Sequence, residues 1–458
     1  MMKKENTNQL LTEGKPYKKI VQFTLPILIG SLFQQLYNMA DAFIISRTLG
    51  VEAFAGVSST GGIIFLILGF AQGMTSGLAI PLAQSFGAGN YEHVKRHYAH
   101  NIIVSIIFAL LLTGVSLGML EWMLAELRTP VDIYPFAHDY LRVMFWGILM
   151  SMMFNFFADS LRALGDSKSP LYFLLMASAL NIVLDIIFIR VVHMGVEGAA
   201  LATVLAQGVS AGLCFIRILR KVKILSLANY QGGLQLKTAL NNLKLGLPMA
   251  FQSSIIALGV IIMQFATNNM GTIAVAAYAV AAKIDGIAVE PLRALGVTMT
   301  TYTAQNYGAG KYKRVREGVR QSVIISVLLS LLLGAIMLFG GRILTQMFIG
   351  NVAPLILDNS HTFLIIHGVL YIILGLLFIF RYTLQGLGYT FIPTVAGTME
   401  LIMRVIAAFF LVPTFEFAGA SFATPLSWAG ALLPVAIAYY FAAGKLHKKN
   451  TDVYVCGD

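Results

Sequence analysis

Long runs of residues with neither charge nor alternation constrain this chain more than any other feature. IIVSIIFALLLTGVSLGML (102–120) and VIISVLLSLLLGAIMLF (323–339) are two of several. Each is close to the ~20 residues that a helix needs to cross the hydrocarbon core of a bilayer. A strand of an outer-membrane barrel would alternate apolar and polar residues instead. Composition agrees: 57% of the chain is hydrophobic, 12% is charged and the mean hydropathy is +0.77, whereas soluble domains run at about 45–50% apolar and about 25% charged. Too little polar surface remains to coat a globule in water. This argues against a soluble enzyme, a disordered chain and a nucleic-acid-binding domain, and for an all-α polytopic membrane protein.

Breaks at charge, Gly and Pro divide the 458 residues into twelve predicted spans, near 18–47, 53–82, 98–120, 139–161, 169–190, 197–219, 241–270, 275–305, 321–340, 360–384, 391–412 and 419–443. An even number puts both termini on one side, and Lys and Arg choose that side. With the N-terminus inside, 24 of them fall on inside segments, Arg381 among these, and 5 fall outside; Lys283, Arg293 and Arg404 lie within spans. The net charge of +11 is therefore an orientation signal and needs no nucleic-acid partner. Lys3, Lys4, Lys15, Lys18 and Lys19 precede a first run without a small-residue cleavage site, which reads as a retained helix and not a signal peptide. Cys214 and Cys456 are far apart, so neither a disulfide framework nor a metal-binding spacing is expected.

The chain repeats itself. AQSFGAGNY (83–91) recurs as AQNYGAGKY (304–312), and GAALAT (198–203) recurs as GASFAT (419–424), both at a shift of 221. FTLP ending at Pro26 returns as LGLP ending at Pro248, and LRALGDSKSP (161–170) as LQGLGYTFIP (384–393). Six spans per repeat, an even number, make the repeats parallel: two six-helix lobes about a pseudo-two-fold along the membrane normal, with a cavity between them. The expected divisions are a tail at 1–17, lobes at 18–220 and 241–443, a basic Gly-containing linker at 221–240 and a second tail at 444–458.

An ionisable group inside a span costs several kcal/mol, so each is a functional candidate. Asp41, about 6 residues or ~9 Å from the outer end of its span, matches the depth of Asp185 and of Thr203. Asn181 precedes Asp185 by four residues and Tyr37 precedes Asp41 by four, so each pair shares a helical face; Gln34 lies a heptad before Asp41. Carboxylate, amide and hydroxyl oxygens without imidazole or thiolate suit Na⁺ or a shared proton, and no transition metal. In the second repeat Asp41 maps to Met263, Asp185 to Ala408 and Asn181 to Arg404, so the acid pair belongs to the first lobe alone.

The second lobe has charges of its own. Glu400 and Arg404, at i,i+4, are expected to pair. Lys283, Asp285, Glu290 and Arg293 lie on the eighth span, with Lys283 and Glu290 a heptad apart on one face. These bind a cationic substrate or form a buried ion network. Pro26, on the same helix as Asp41, removes a backbone hydrogen bond and is the candidate hinge. The GAG turns lack GxxxxGK[ST] and are no phosphate loop, so ATP does not drive transport and an ion gradient must.

At these residues the chain resembles the multidrug and toxic compound extrusion (MATE) family. The resemblance runs from about 18 to 443 and rests on QQLYNMADAFIISRTLG, the doubled AQ-x-[FY]-GAG-x-Y, LRALGDSKSP, and LNIVLDI followed by GVEGAALAT. It implies a monomeric transporter in a bacterial plasma membrane, both termini cytoplasmic, exporting amphipathic and often cationic drugs against Na⁺ or H⁺, with no other cofactor. Antibiotic resistance would follow. It also implies a cation site at Asp41, Asn181, Asp185 and Thr203, surrounded by Tyr37, Gln34 and Asn155, with helix bending at Pro26. The chain departs from the family at Ile45-Ser46-Arg47, where members often read V-G-R, and in lacking a second-lobe acid pair.

Two other classes compete. A flippase for lipid-linked oligosaccharide would need a richly cationic cavity, and only Lys283, Arg293 and Arg404 are within spans. A membrane enzyme would need a nucleophile set or metal motif that the sequence lacks.

Overall fold

The computed structural model describes residues 11–227, 230, 232–233, 235–350 and 353–455, with side chains as far as Lys448. Lys3, Lys4, Cys456 and the side chain of Lys449 lie outside the described residues. Sixteen α-helices and no strand are present among those described. The first half holds α1 (Pro16–Leu49), α2 (Val51–Ser59), α3 (Gly61–Gly87), α4 (Tyr91–Gly118), α5 (Leu120–Glu126), α6 (Tyr134–Trp146), α7 (Ile148–Ala163), α8 (Lys168–Ile186) and α9 (Val196–Lys221). The second holds α10 (Leu236–Asn268), α11 (Thr272–Ala288), α12 (Glu290–Gly308), α13 (Tyr312–Ile349), α14 (Pro354–Gly386), α15 (Phe391–Ile406) and α16 (Val412–Val455).

Among the described residues, nine helical stretches are long and apolar enough to cross a membrane, and two bent pairs, α6 with α7 at 48° and α11 with α12 at 43°, add one span each. The stretch Phe391–Lys448 runs 58 residues but breaks at Glu416, whose φ of 48° leaves the helical region. Counting it as two gives the expected twelve spans. The tail predicted from 444 is helical as far as Val455.

The repeated motifs are helix stops. Gly89 and Gly310, the second glycines of the two GAG runs, take φ of 71° and 69°, which costs a residue with a Cβ but not glycine. Asn90 N–H then closes on Ser85 O at 3.1 Å and Lys311 N–H on Asn306 O at 2.9 Å, the paired turn that satisfies the last carbonyls of α3 and α12.

Two compact units result, and they are not the two sequence halves. Among the described residues, one comprises Ile29–Ser254; the other comprises Leu11–Leu28 and Ile255 onward. These packing units divide within the interiors of α1 and α10. The cause is local packing. Lipid is as apolar as any helix face, so helices in a membrane associate through close backbone approach and polar contacts. In the first unit a Cβ on Gly73 would meet Met249 O at 2.4 Å, and one on Gly77 would meet Gly246 Cα at 2.6 Å. This close approach seats the start of α10 on α3. In the second unit Ile20, Phe23 and Ile27 of α1 pack on Ala294, Leu295 and Met299 of α12, and Thr24 Oγ1 donates to Thr298 Oγ1 at 2.9 Å. By the repeat shift, Thr24 and Thr298 are the counterparts of Gly246 and Gly77.

The second GAG turn also grips the chain ahead of α1. Leu11 N–H donates to Gln305 Oε1 at 2.9 Å, Lys311 donates to Thr12 O at 3.1 Å, and the Arg314 guanidinium donates to the carbonyls of Leu11, Glu13 and Gly14 at 2.6–3.3 Å. Leu11 and Thr12 are buried by this clamp.

Candidate functional site

The first unit gathers the predicted polar set. α1 supplies Gln34, Tyr37 and Asp41 on one face, α8 supplies Asn181 and Asp185, and α9 supplies Thr203. Asp185 is 0% exposed and Asn181 1%, while Asp41 is half-buried. Asn181 Nδ2 donates to Thr203 Oγ1 at 3.3 Å. That bond orients the amide, and it leaves Asn181 Oδ1 without a donor; Asp41 Oδ1 and both oxygens of Asp185 have none either. Buried polar atoms are ordinarily satisfied. Four acceptors without donors on three residues fit a cation: hard oxygens whose lone pairs nothing in the protein occupies. The two carboxylates lie close enough to repel, and that repulsion falls when a positive ion or proton joins them.

A small cavity of about 20 Å³ adjoins the set, lined by Tyr37, Asn181, Thr203 and Gln207 among others. Tyr37 interacts with Gln34 and Gln207 and is close enough to feel both carboxylates. Asn155 is more remote: its amide donates to Ser151 O at 3.0 Å, and it does not line the cavity. Gln207, hydrogen-bonded to Ser151, and Tyr140, a buried phenol close to Asp41 and Asp185, belong to this neighbourhood without having been foreseen. Gln207 follows Thr203 by one turn, a signal available in the sequence. Tyr140 offered none.

Immediately beyond Asp185 the helix loosens into a π-turn, Ile187–Val191. Such turns often accompany functional sites. The second unit has one too, at Ala407–Leu411, where Met263, Ala407, Ala420 and Ala423 form an apolar cluster with Ala408 in place of acids. The turn thus belongs to the fold, and the carboxylates are an addition in one unit.

Pro26 is buried within α1, which runs unbroken through it, and is in the second unit while Asp41 is in the first.

The second-unit charges correct one expectation, the placement of Arg381. Glu400 pairs with Arg404 at 3.9 Å, as expected, and more closely with Arg381. Arg381 is 4% exposed within α14 and so is no residue of an inside loop. Lys283 on α11 and Glu290 on α12 lie on the two arms of one bent span; Glu290 is buried against Arg293 at 3.1 Å, and Lys283 is exposed. Asp285 accepts from Tyr371 at 2.7 Å and contacts His367 Nδ1 at 3.0 Å. That buried cluster brings together residues far apart in sequence. No group of three or more His, Cys, Asp or Glu suited to a metal occurs among the described residues.

The pattern of the MatE family matches residues 26–187 and 248–410. The chain is 32% identical over 313 residues to the probable multidrug resistance protein YpnP of Bacillus subtilis, covering 66% of this chain and 68% of that one. It is 23% identical over 391 residues to a protein of Shewanella oneidensis named as an FAD transporter, covering 84% and 86%. Its fold is similar, with a TM-score of 0.89 at 22% identity, to a structure described as the outward-facing conformation of a multidrug resistance MATE family transporter, over 95% of this chain and 98% of that one.

Proposed function

The chain belongs to the MatE family of transporters, and from that premise we propose that it is a secondary active exporter of amphipathic drugs and dyes, driven by Na⁺ or H⁺ entering down its gradient. The observation that carries the coupling role is the set of four donorless oxygens on Asp41, Asn181 and Asp185. An ion bound there relieves the repulsion between the carboxylates, and it biases the protein toward whichever conformation holds the acids together. Exchange requires that ion and cargo favour different conformations, because only differential affinity shifts an equilibrium. Thr203 orients Asn181, and Tyr37 with Gln34 and Gln207 links the site to the neighbouring cavity. Pro26 leaves α1 short of one hydrogen bond and is the place where the helix yields. The Lys and Arg bias supports a bacterial plasma membrane with both termini cytoplasmic.

The test is dye efflux from vesicles holding the purified chain, under a Na⁺ gradient at fixed pH and under a pH gradient without Na⁺. One gradient is expected to drive efflux, and Asp41→Asn and Asp185→Asn each to abolish the drive. Gradient-driven efflux that survives in both variants would falsify the assignment.

A further inference from the structure

Within the spans of the second unit, Lys283, Arg293, Arg381 and Arg404 outnumber Asp285, Glu290 and Glu400. Most of these charges are consumed internally. Asp285 is held by Tyr371 and His367, and Glu400 is enclosed by Arg381 and Arg404, all three buried. Two cations are different. Lys283 is exposed and has no ion pair among the described residues. The Arg293 side chain is 48% exposed although one edge of it meets Glu290.

Both point from one face. Lys283, Gly286, Glu290, Arg293 and Val297 follow helical spacing, and the backbone at the bend stays right-handed helical, with φ −84° and ψ −11° at Val289, so the phase carries across. Neither cation is at an end of the bent span. Lys283 is 11 residues into α11, or ~16 Å, and Arg293 is 15 residues before the end of α12, or ~22 Å. A cation facing hydrocarbon within a span is costly. The face therefore opens to water and not to lipid. The repeat counterparts of Lys283, Glu290 and Arg293 are Gly62, Gly69 and Gln72. The cationic face is thus confined to the second unit, as the acid pair is to the first.

We infer that this face binds an anionic group, a carboxylate or phosphate, on the transported amphiphile. Arg293 presents the free side of its planar guanidinium to two oxygens at once, and Lys283 adds a point charge ~15 Å along the helix for an extended or second anionic group. The inference rests on the exporter reading and narrows its cargo: acid-bearing amphiphiles are preferred over cations that lack an acid.

The full chain in phosphatidylcholine vesicles is given a rhodamine with a free benzoate and the same dye as its methyl ester. The expected KM for the acid is lower than for the ester by about tenfold, the scale of a hydrogen-bonded charge pair. Reading the ratio within one variant cancels differences in folding. It should fall toward one in Lys283→Gln and Arg293→Gln and be partly kept in Arg293→Lys. An ester preference in the wild type, or a ratio unmoved in both Gln variants, overturns the inference. So does a ratio of one accompanied by faster efflux on adding phosphatidylglycerol that both Gln variants lose, because the cations would then hold lipid phosphate. If neither dye moves under any gradient, the exporter reading itself fails.

Discussion

The amide of Asn181 donates to the hydroxyl of Thr203 across 3.3 Å, and the carbonyl oxygen this orients has no donor of its own. One weak bond between α8 and α9 thus aims an acceptor at the place where two carboxylates also lack donors. Removing the hydroxyl while keeping the shape, as in Thr203→Val, should let the amide rotate. The ion concentration at half-maximal efflux is expected to rise about tenfold, the worth of one hydrogen bond, with the maximal rate little changed; an efflux titration with the driving ion reads both.

Arg381 and Glu400 form a buried pair. Arg381→Met leaves the carboxylate with the more distant Arg404, and breaking such a pair costs about 3–5 kcal/mol. Replacing both, Arg381→Met with Glu400→Gln, should recover most of that loss. Thermal unfolding in detergent distinguishes the outcomes, and a single variant as stable as the double would show that the pair contributes nothing.

Gly77 approaches the backbone of Gly246. Gly77→Val forces α3 and α10 apart and should destabilise the first unit by about 1–3 kcal/mol. Gly114, whose added Cβ meets nothing within 4 Å, serves as the control: Gly114→Ala should hold or slightly raise the melting temperature, because alanine is the better helix former.

Arg314 holds three backbone carbonyls ahead of α1. Arg314→Lys keeps the charge but loses the fork, so amide exchange at residues 12–15 is expected to quicken about tenfold, while α1 beyond Ile20 stays protected. Hydrogen exchange measured by mass spectrometry decides the matter.

Sequence made the spans and their repeat legible because hydrophobic runs and turn glycines are properties of the chain in one dimension. The buried polar set was legible for a related reason: Asn181 and Asp185, like Tyr37 and Asp41, sit one helical turn apart, so spacing alone places each pair on a face. What spacing cannot give is which helix a face meets. Tyr140 reaches the acids from a separate span, and Arg381 reaches Glu400 from α14, within the predicted span 360–384 although it was counted with the inside segments. The placement of 236–254 in the first unit depends on a glycine stripe at 69, 73 and 77 on α3, and that of Leu11–Leu28 in the second on packing against α12. That stripe was visible in the sequence, but its meaning lies in contact with Met249 and Gly246.

The π-turn recurs in a half that has no acids for it to serve. Ile187–Val191 and Ala407–Leu411 interrupt their helices within a few residues of the same place in each repeat, so the interruption belongs to the shared fold and not to the acids. The halves part in what they set beside it: carboxylates in one, methyl groups in the other. If the acids carry the coupling as proposed, it is the trade of a single sibling, practised on a backbone that both share.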